Sequence, residues 1–318
     1  METDAGLDTL VRQKDHLNVL RYLRVHQIRK PELAVSQGKM LLGPNLSWKF
    51  KDELARLAVL EQVCLASLDL GRDDDAKMCL DRLKESSSGM GAAVPSIENT
   101  ARFRVLLARS LEAAEDYAGA ELAYDELLKE NPANLVALKR KYCILRAQVG
   151  KEAGAMEALN RYLQKNYGDT AAWYEMAKFR LELGDYGGAA FALEETLLGV
   201  PADSRMHCEL AECYATMGGK DNTALARKHM AQSLELDPTN RRALFGLVSA
   251  ANGYLECCSS SGSSSSSAKN NMDTTDEHEV AVAKELVRYG AEKLLVEYKG
   301  TAMFSAVKAL MSEYTEEL

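Results

Sequence analysis

Three short stretches of this sequence carry residue types that can perform chemistry. His207, Cys208 and Cys213 combine the imidazole and thiol groups that zinc prefers as ligands. The His-Glu pair at 278–279 matches the start of the zinc-binding metalloprotease pattern H-E-x-x-H. The Gly-Met-Gly at 89–91 matches the start of G-x-G-x-x-G, a turn that cradles the phosphates of a dinucleotide.

None of these patterns is complete. Val282 stands in place of the second histidine of H-E-x-x-H, and Val94 stands in place of the last glycine of G-x-G-x-x-G. No C-x2-C pair accompanies His207. We interpret His207 as a side chain of a helix interface and the two neighbouring cysteines as packed apolar residues. The sequence predicts no catalytic residue, no cofactor and no metal, so the protein is expected not to be an enzyme.

The composition favours a helical protein of the cytosol. The 318 residues include 7% aromatic residues and 6 prolines, few for a β-sandwich with its many turns. The net charge of -8 disfavours a general nucleic-acid binder, which is usually basic. No apolar run approaches the roughly 18 residues that span a bilayer, and the N-terminal residues form no hydrophobic signal segment. The 7 cysteines show no disulfide pattern.

A repeat of 34 residues organises most of the chain. Asp185-Tyr186 opens a small-residue helix that ends at Pro201, and Asp116-Tyr117 and Pro132 have the same spacing 69 residues earlier. Residues 170–203 fit the tetratricopeptide (TPR) pattern of two helices joined by a turn. In this register Trp173 is the large knob of the first helix, Ala177 and Ala189 are small where the two helices cross, and Gly184 ends the first helix. Repeats are predicted near 57–90, at 101–134, 135–169, 170–203 and 204–240, and as a half repeat from 241.

The predicted fold is therefore all-α, a TPR solenoid in which antiparallel helix pairs form a right-handed superhelix with capping helices. An unrelated helical bundle is the alternative. One or two helices with a break at Pro31 are predicted in residues 7–50, and residues 1–56 are expected to cap the solenoid at 57–256. We predict a long loop at 86–100, a Ser-rich flexible loop at 257–276 and capping helices at 277–318.

A TPR solenoid has no built-in catalytic pocket, so its function is expected on its surface. Positions 2, 5, 9 and 12 of each first helix face the concave groove of this fold. Acids are few at these positions, with only Glu112 and Glu212, so the groove is predicted to be positive and to attract an acidic segment or the C-terminus of a polypeptide. The alternative is that these cations are solvated side chains of ordinary helices. The predicted groove residues are Arg102, Arg109, Lys139, Arg146, Lys178, Arg205 and Arg242.

Four segments go beyond the general repeat and resemble the family of subunit 2 of the endoplasmic reticulum membrane protein complex. They are "LDLGRDDDAKMCLDRL" (Leu68–Leu83), "NPANLVALKRKYCILRAQ" (Asn131–Gln148), "DYGGAAFALEE" (Asp185–Glu195) and "NRRALFGL" (Asn240–Leu247). The resemblance runs in order from about Gln27 to Tyr254. The N-terminal helices, the last sixty residues, the Ser-rich stretch and the loop at 86–100 depart from it.

The resemblance implies a peripheral scaffold on the cytosolic face of the endoplasmic reticulum. Members of that family have no membrane span, cup the cytosolic ends of membrane-embedded subunits and carry another cytosolic subunit. The assembly inserts tail-anchored and multi-spanning proteins. The expected partners are therefore other subunits of a membrane protein complex, with no nucleic acid and no small-molecule substrate, and there are no catalytic residues to carry over.

Two other functions stay open. The first is a freestanding TPR adaptor or co-chaperone that binds a peptide tail in its groove. The two-carboxylate clamp of such proteins needs Lys-x3-Asn in its first helix, and here Lys139 is followed by Cys143 in place of the asparagine. The second is an enzyme or enzyme subunit with its active site in the C-terminal helices, for which no residue constellation argues.

Overall fold

The computed structural model describes residues 2–43, 53–88, 97–261 and 274–316, which form sixteen α-helices, one 3₁₀ helix at Ile97–Asn99 and no strand. The helices are α1 (Glu2–Arg12), α2 (His16–Val25), α3 (Pro31–Leu41), α4 (Glu53–Asp69), α5 (Asp73–Ser88), α6 (Ala101–Ala113), α7 (Tyr117–Glu130), α8 (Leu135–Arg146), α9 (Glu152–Lys165), α10 (Thr170–Glu182), α11 (Tyr186–Gly199), α12 (Ser204–Met217), α13 (Lys220–Leu236), α14 (Arg241–Ser261), α15 (Thr274–Glu297) and α16 (Phe304–Glu316).

The helices follow the 34-residue period. Each of the repeats 101–134, 135–169, 170–203 and 204–240 contains two helices joined by a short turn, and the two helices pack on each other. Helix α4 packs on α5 in the same way. The predicted all-α TPR fold is confirmed.

The chain divides into two compact parts, which we call the N-terminal lobe (Met1–Lys165) and the C-terminal lobe (Asn166–Leu318). The boundary falls inside the range 57–256 that was predicted as one solenoid. Each lobe has its own buried side chains. Leu20, Leu60 and Tyr124 are at most 1% exposed in the N-terminal lobe, and so are Phe179 and Leu193 in the C-terminal lobe.

The turn inside each repeat explains the recurring Asp-Tyr pair. Asp116 and Asp185 are N-cap residues whose side chains accept hydrogen bonds from the backbone N–H of Gly119 and Gly188, at 3.0 and 2.9 Å. Such a cap satisfies one of the amides that the first helical turn leaves without an intrahelical partner. Gly184, at φ +74°, reverses the chain after α10, as predicted.

The close helix crossing is also present, but the predicted knob is not buried. Ala177 and Ala189 are 0% exposed on α10 and α11. Trp173 is only partly buried: its indole N–H donates to the carbonyl of Tyr167 at 2.8 Å, and its ring meets the half-exposed Phe191 edge to face. The need of the indole N–H for a hydrogen-bond acceptor explains why Trp173 stays near the surface, where the Tyr167 carbonyl is within reach. Met176 and Phe179 fill the core instead.

The flanking segments differ from the sequence prediction in number and length. Residues 7–43 belong to three helices rather than one or two, and Pro31 is the first residue of α3, where its missing N–H costs nothing. Helices α1–α3 share a core with α4–α6. Within the described residues, no helix combines the length and the apolar character that a membrane crossing needs.

Both ends of the predicted loop at 257–276 are helical in the structure. Helix α14 continues through Ser261, and α15 begins at Thr274. Tyr254, which is 3% exposed, holds α14 in place about two turns before its end at Ser261. A serine in the added turns costs only about 0.5 kcal/mol of helix stability relative to alanine. The remaining residues of that prediction, 262–273, and residues 89–96 of the predicted loop at 86–100 lie outside the described residues.

Candidate partner-binding surface

The first helices of the repeats carry the seven cations that the sequence singled out. Arg102 and Arg109 lie on α6, and Lys139 and Arg146 lie on α8, all in the N-terminal lobe. The other three are in the C-terminal lobe, on α10, α12 and α14: Lys178, Arg205 and Arg242.

In the N-terminal lobe, ion pairs tie the first helices to each other. Arg102 on α6 lies 2.7 Å from the carboxylate of Glu61 on α4, and Arg109 lies 3.5 Å from Asp69 on the same helix. Arg140 on α8 pairs in turn with Glu112 on α6. These pairs form a row that runs across α4, α6 and α8.

The other two predicted residues of this lobe are exposed. The Lys139 ammonium lies 5.4 Å from the centroid of the Tyr162 ring, in a cation–π arrangement with α9. Arg146 is in the last turn of α8, where a cation is favoured by the helix dipole.

The C-terminal lobe repeats the arrangement. Lys178 on α10 lies 3.6 Å from the Glu209 carboxylate on α12, and Arg242 on α14 forms a two-pronged ion pair with Glu212 on α12. Lys178 and Arg205 also share the Tyr174 ring, at 5.1 and 5.6 Å from its centroid. A cleft of about 190 Å³ lies between these helices and is lined by Lys178, Leu181, Tyr186, Glu209, Glu212, Cys213, Thr216 and Arg242.

These ion pairs offset part of the positive charge that the sequence predicts for this surface. Arg102, Arg109, Lys178 and Arg242 each have a carboxylate partner on a neighbouring first helix. Asp69 and Glu209 were missed because they do not occupy the four groove positions of the repeat pattern, whereas Glu61 is at position 5 of the repeat near 57–90 and was overlooked. The sequence separation between a cation and its acid does not indicate the pairing, because the two residues belong to different repeats. The separation is 30 residues in the pair Arg242–Glu212 and 41 residues in the pair Arg102–Glu61.

The residues with potential for metal or nucleophile chemistry have packing roles. Burial raises the pKa of the Cys208 and Cys213 thiols to about 11, which keeps them protonated and poor ligands at neutral pH. The Nδ1 atoms of His207 and His229 are hydrogen-bonded to each other at 3.0 Å. The Nε2 atom of His207 lies 3.1 Å from the Pro201 carbonyl oxygen. No group of three His, Cys, Asp or Glu side chains suited to a metal ion occurs in the part of the chain that the structure describes.

Comparison with known proteins identifies the family. Residues 92–232 match the family model described as the EMC2 TPR-like repeat domain. The chain is 36% identical over 234 residues to "ER membrane protein complex subunit 2" of Xenopus tropicalis, and the match covers 74% of each protein. The chain belongs to the family of ER membrane protein complex subunit 2.

More distant relatives of this family extend the similarity. The protein of the same name from Dictyostelium discoideum is 28% identical over 242 residues, which cover 73% of this chain and 71% of the relative. "TPR repeat protein oca3" of Schizosaccharomyces pombe is 28% identical over 210 residues, which cover 65% and 70%. The suspected membership of this family is confirmed.

Proposed function

We propose that the protein is a non-catalytic scaffold subunit of the ER membrane protein complex, held on the cytosolic face of the endoplasmic reticulum membrane. In this role it supports the insertion of tail-anchored and multi-spanning proteins by holding other subunits, both membrane-embedded and cytosolic. The observation that carries the proposal is the 36% identity over 74% of both proteins to a subunit of that name. Helices α1–α3 and α15–α16 would serve as caps on the two ends of the repeats.

The partner segment is proposed to bind the first-helix surface. Most of its cations form ion pairs, but several of their side chains stay largely exposed: 80% for Arg102, 64% for Arg205 and 60% for Arg242. Exposed ion pairs contribute only about 0–1 kcal/mol, so an acidic partner segment can compete with the protein's own carboxylates at little cost. The cations also repel strongly basic segments, which favours selective over general capture.

A freestanding TPR adaptor is the second candidate. It would use the same surface for a peptide tail but would not associate with membranes. The absence of the Lys-x3-Asn clamp after Lys139 counts against the chaperone-binding form of this function.

Gentle-detergent affinity purification of the tagged full-length protein from membranes, followed by cross-linking mass spectrometry, tests the proposal. Recovery of several multi-spanning proteins in fixed amounts, with cross-links on the first helices, is the expected result. Recovery of the protein alone, or with soluble chaperones, in the non-sedimenting fraction would favour the adaptor.

Charge reversal tests the location of the partner segment. Lys139→Glu and Arg205→Glu, made separately, are expected to weaken partner capture in the same purification several-fold. Neither change should lower the free energy of unfolding by more than about 0.5 kcal/mol, the usual limit for a surface substitution. Arg161→Glu is the control, because Arg161 is exposed and pairs only with Glu157 on its own helix α9 among the ion pairs described. Equal capture by all variants would exclude the groove as the binding site of the partner segment, whereas the proposed scaffold function would remain supported.

A further inference from the structure

Another cleft, in the N-terminal lobe, borders the row of ion pairs and includes Asp69, Arg109 and Arg140 from that row. It has a volume of about 440 Å³ and lies where the turn between α2 and α3 meets α4, α6 and α8. Small-molecule sites in proteins have volumes of roughly 300–1,000 Å³. Asp69 is the one acid among the side chains that line the cleft. Its basic lining residues are Arg24, Arg29, Lys30, Arg109 and Arg140.

Two of the arginines of this cleft share one carboxylate, and a third donates to neutral oxygens. Arg29 donates to the Asp69 carboxylate at 2.9 and 3.0 Å, and Arg109 lies 3.5 Å from the same carboxylate. Arg24 donates to neutral oxygens, the Ala58 carbonyl at 3.3 Å and the Gln62 amide at 2.8 Å. The Arg29 and Arg109 guanidinium groups therefore share the Asp69 carboxylate, and Arg24 binds uncharged acceptors on α4.

The burial of these guanidinium groups has an electrostatic cost. Desolvation lowers the pKa of Arg24, and the neighbouring Arg21 lowers it further, against the attraction of Glu61. Desolvation also lowers the pKa of Arg140, followed by repulsion from Arg109, although Arg140 keeps its ion pair with Glu112. An anion placed among these groups would raise both pKa values again, because a nearby opposite charge stabilises the charged form of each guanidinium.

A helix terminus adds to the positive potential. Helix α3 begins at Pro31, and its N-cap residue Lys30 supplies no side-chain acceptor to the first turn. Lys30, Pro31 and Ala34 all line the cleft, so the amino end of the helix forms part of its wall. Pro31 has no N–H to donate and Glu32 places an acid in the first turn, so the helix dipole and the remaining N–H groups of this turn are what favour an anion at this end.

We propose that this cleft binds a small molecule with two or more phosphate groups. Guanidinium forks match phosphate oxygens in two-pronged hydrogen bonds, and here they converge from α2, the α2–α3 turn, α6 and α8. Leu23, Ile28 and Leu65 line the same cleft and would contact the carbon skeleton of the ligand. This inference does not rest on the proposed function, since the cleft lies within one lobe and its binding is measured on the purified protein.

Isothermal titration of the purified full-length protein with tripolyphosphate tests the proposal, with sulfate at equal ionic strength as the reference anion. Wild type is expected to bind tripolyphosphate at least tenfold more tightly than sulfate, and to gain melting temperature with ligand concentration. Arg29→Gln/Lys30→Gln should weaken tripolyphosphate at least tenfold. The Arg29 side chain is 78% exposed, so the double variant should keep its fold, which circular dichroism checks.

Arg161→Gln is the matched control, because it removes one cation of an exposed ion pair in the same lobe, outside the cleft. It should bind tripolyphosphate as wild type does. Equal affinity of wild type for sulfate and tripolyphosphate, or equal binding by all three proteins, would overturn the proposal. Tighter binding of a hexaglutamate peptide than of tripolyphosphate, lost in the double variant, would overturn it in favour of an acidic peptide. Assembly into a membrane complex is a separate measurement and is unaffected by any of these results.

Discussion

Ala189 is a position where one added side chain tests the register of the whole repeat. It is 0% exposed on α11, which packs on α10, where Ala177 is equally buried. Ala189→Leu adds three carbon atoms to a filled interface and is expected to lower the free energy of unfolding by roughly 1–3 kcal/mol. Urea unfolding followed by circular dichroism measures this loss.

Ala171→Leu is the control for that substitution, since Ala171 is exposed on α10 of the same repeat. It should change the free energy of unfolding by less than about 0.5 kcal/mol. An Ala189→Leu protein as stable as wild type would contradict the assignment of Ala189 to the helix crossing.

The paired histidines 207 and 229 predict a pH dependence of stability. The Pro201 carbonyl only accepts, so Nε2 of His207 carries its proton, and His229 then donates from Nδ1 to Nδ1 of His207. Burial, and then the neighbouring His207, lower the pKa of His229 from its ordinary 6.5, against a weaker attraction from Glu194. The unfolded state therefore binds a proton at a higher pH than the folded state does.

It follows that His229 contributes its full stability above pH 6.5, and that this contribution is lost as the pH falls from 6.5 through the lowered folded pKa. The urea midpoint of wild type should decrease between pH 7.5 and 5.5. His229→Gln should decrease less over the same interval, and His278→Gln, at an exposed site, should follow wild type. A His229→Gln protein with the wild-type slope would rule out this source of pH dependence.

At this scale the sequence predicts residues that act within their own repeat and misses those that act between repeats. Gly184 and the small residues at 177 and 189 follow from local geometry, because a turn or a crossing recurs at a fixed place in each period. Asp69 and Glu209 were not found, since the repeat pattern fixes which positions face the groove but not which side chains reach across from the next helix.

At the scale of elements, α15 is fastened to the repeats by a buried cation. Arg227 on α13 is 2% exposed; it donates to the Glu279 carbonyl at 2.9 Å and pairs with the Glu279 carboxylate, both on α15. Its guanidinium also lies 4.7 Å from the centroid of the Tyr254 ring on α14. One side chain therefore links three helices. Glu279, the glutamate of the incomplete H-E-x-x-H pattern, therefore has a structural role, since it holds α15 against α13 through Arg227.

Removing this anchor is expected to destabilise the protein. Arg227→Met should cost about 1–3 kcal/mol of free energy of unfolding, the range for hydrogen bonds of charged groups and unsatisfied buried partners. Because the two residues act as a pair, Arg227→Met/Glu279→Gln should cost less than the sum of the single changes. Urea unfolding gives these energies, and hydrogen exchange of α15 amides shows whether the loss is local.

Arg241→Met is the matched control for Arg227→Met. Arg241 joins α14 to α15 through Glu297 at 2.9 Å, but its side chain is 61% exposed, and exposed pairs contribute about 0–1 kcal/mol. Equal losses for Arg227→Met and Arg241→Met would contradict a special role for the buried cation.

Element boundaries were predictable where the period is regular and less so where it stops. The first and second helices of residues 101–240 fall inside their predicted repeats. The extension of α14 to Ser261 was missed because serine composition indicates a loop, whereas burial of Tyr254 and the hydrogen bond from the Ser259 hydroxyl to the Glu256 carbonyl support another turn of helix.

At the scale of the whole molecule, the sequence period hides the division into two lobes. The repeat pattern passes through residues 165–170 with no loss of spacing, so it carries no sign of a boundary. The division depends on which side chains are buried together, and that information is spread over many residues. In the N-terminal lobe one core extends over α1–α6 and a second one over α6–α8.

Each lobe should therefore fold as a separate polypeptide. The C-terminal lobe retains its buried Phe179, Leu193 and Leu244 and its anchor at Arg227, and repeat proteins of three or more units keep enough neighbouring interfaces for stability. Residues 1–165 and 166–318, expressed separately, are expected to give helical circular dichroism spectra and cooperative urea transitions. A fragment of residues 218–318 separates α13 from its packing partner α12 and should be far less stable, because it exposes Met230 and Leu234. If the fragment of residues 166–318 is unfolded in buffer, or is no more stable than the fragment of residues 218–318, the prediction is wrong. The core of the C-terminal lobe would then not be sufficient for independent folding.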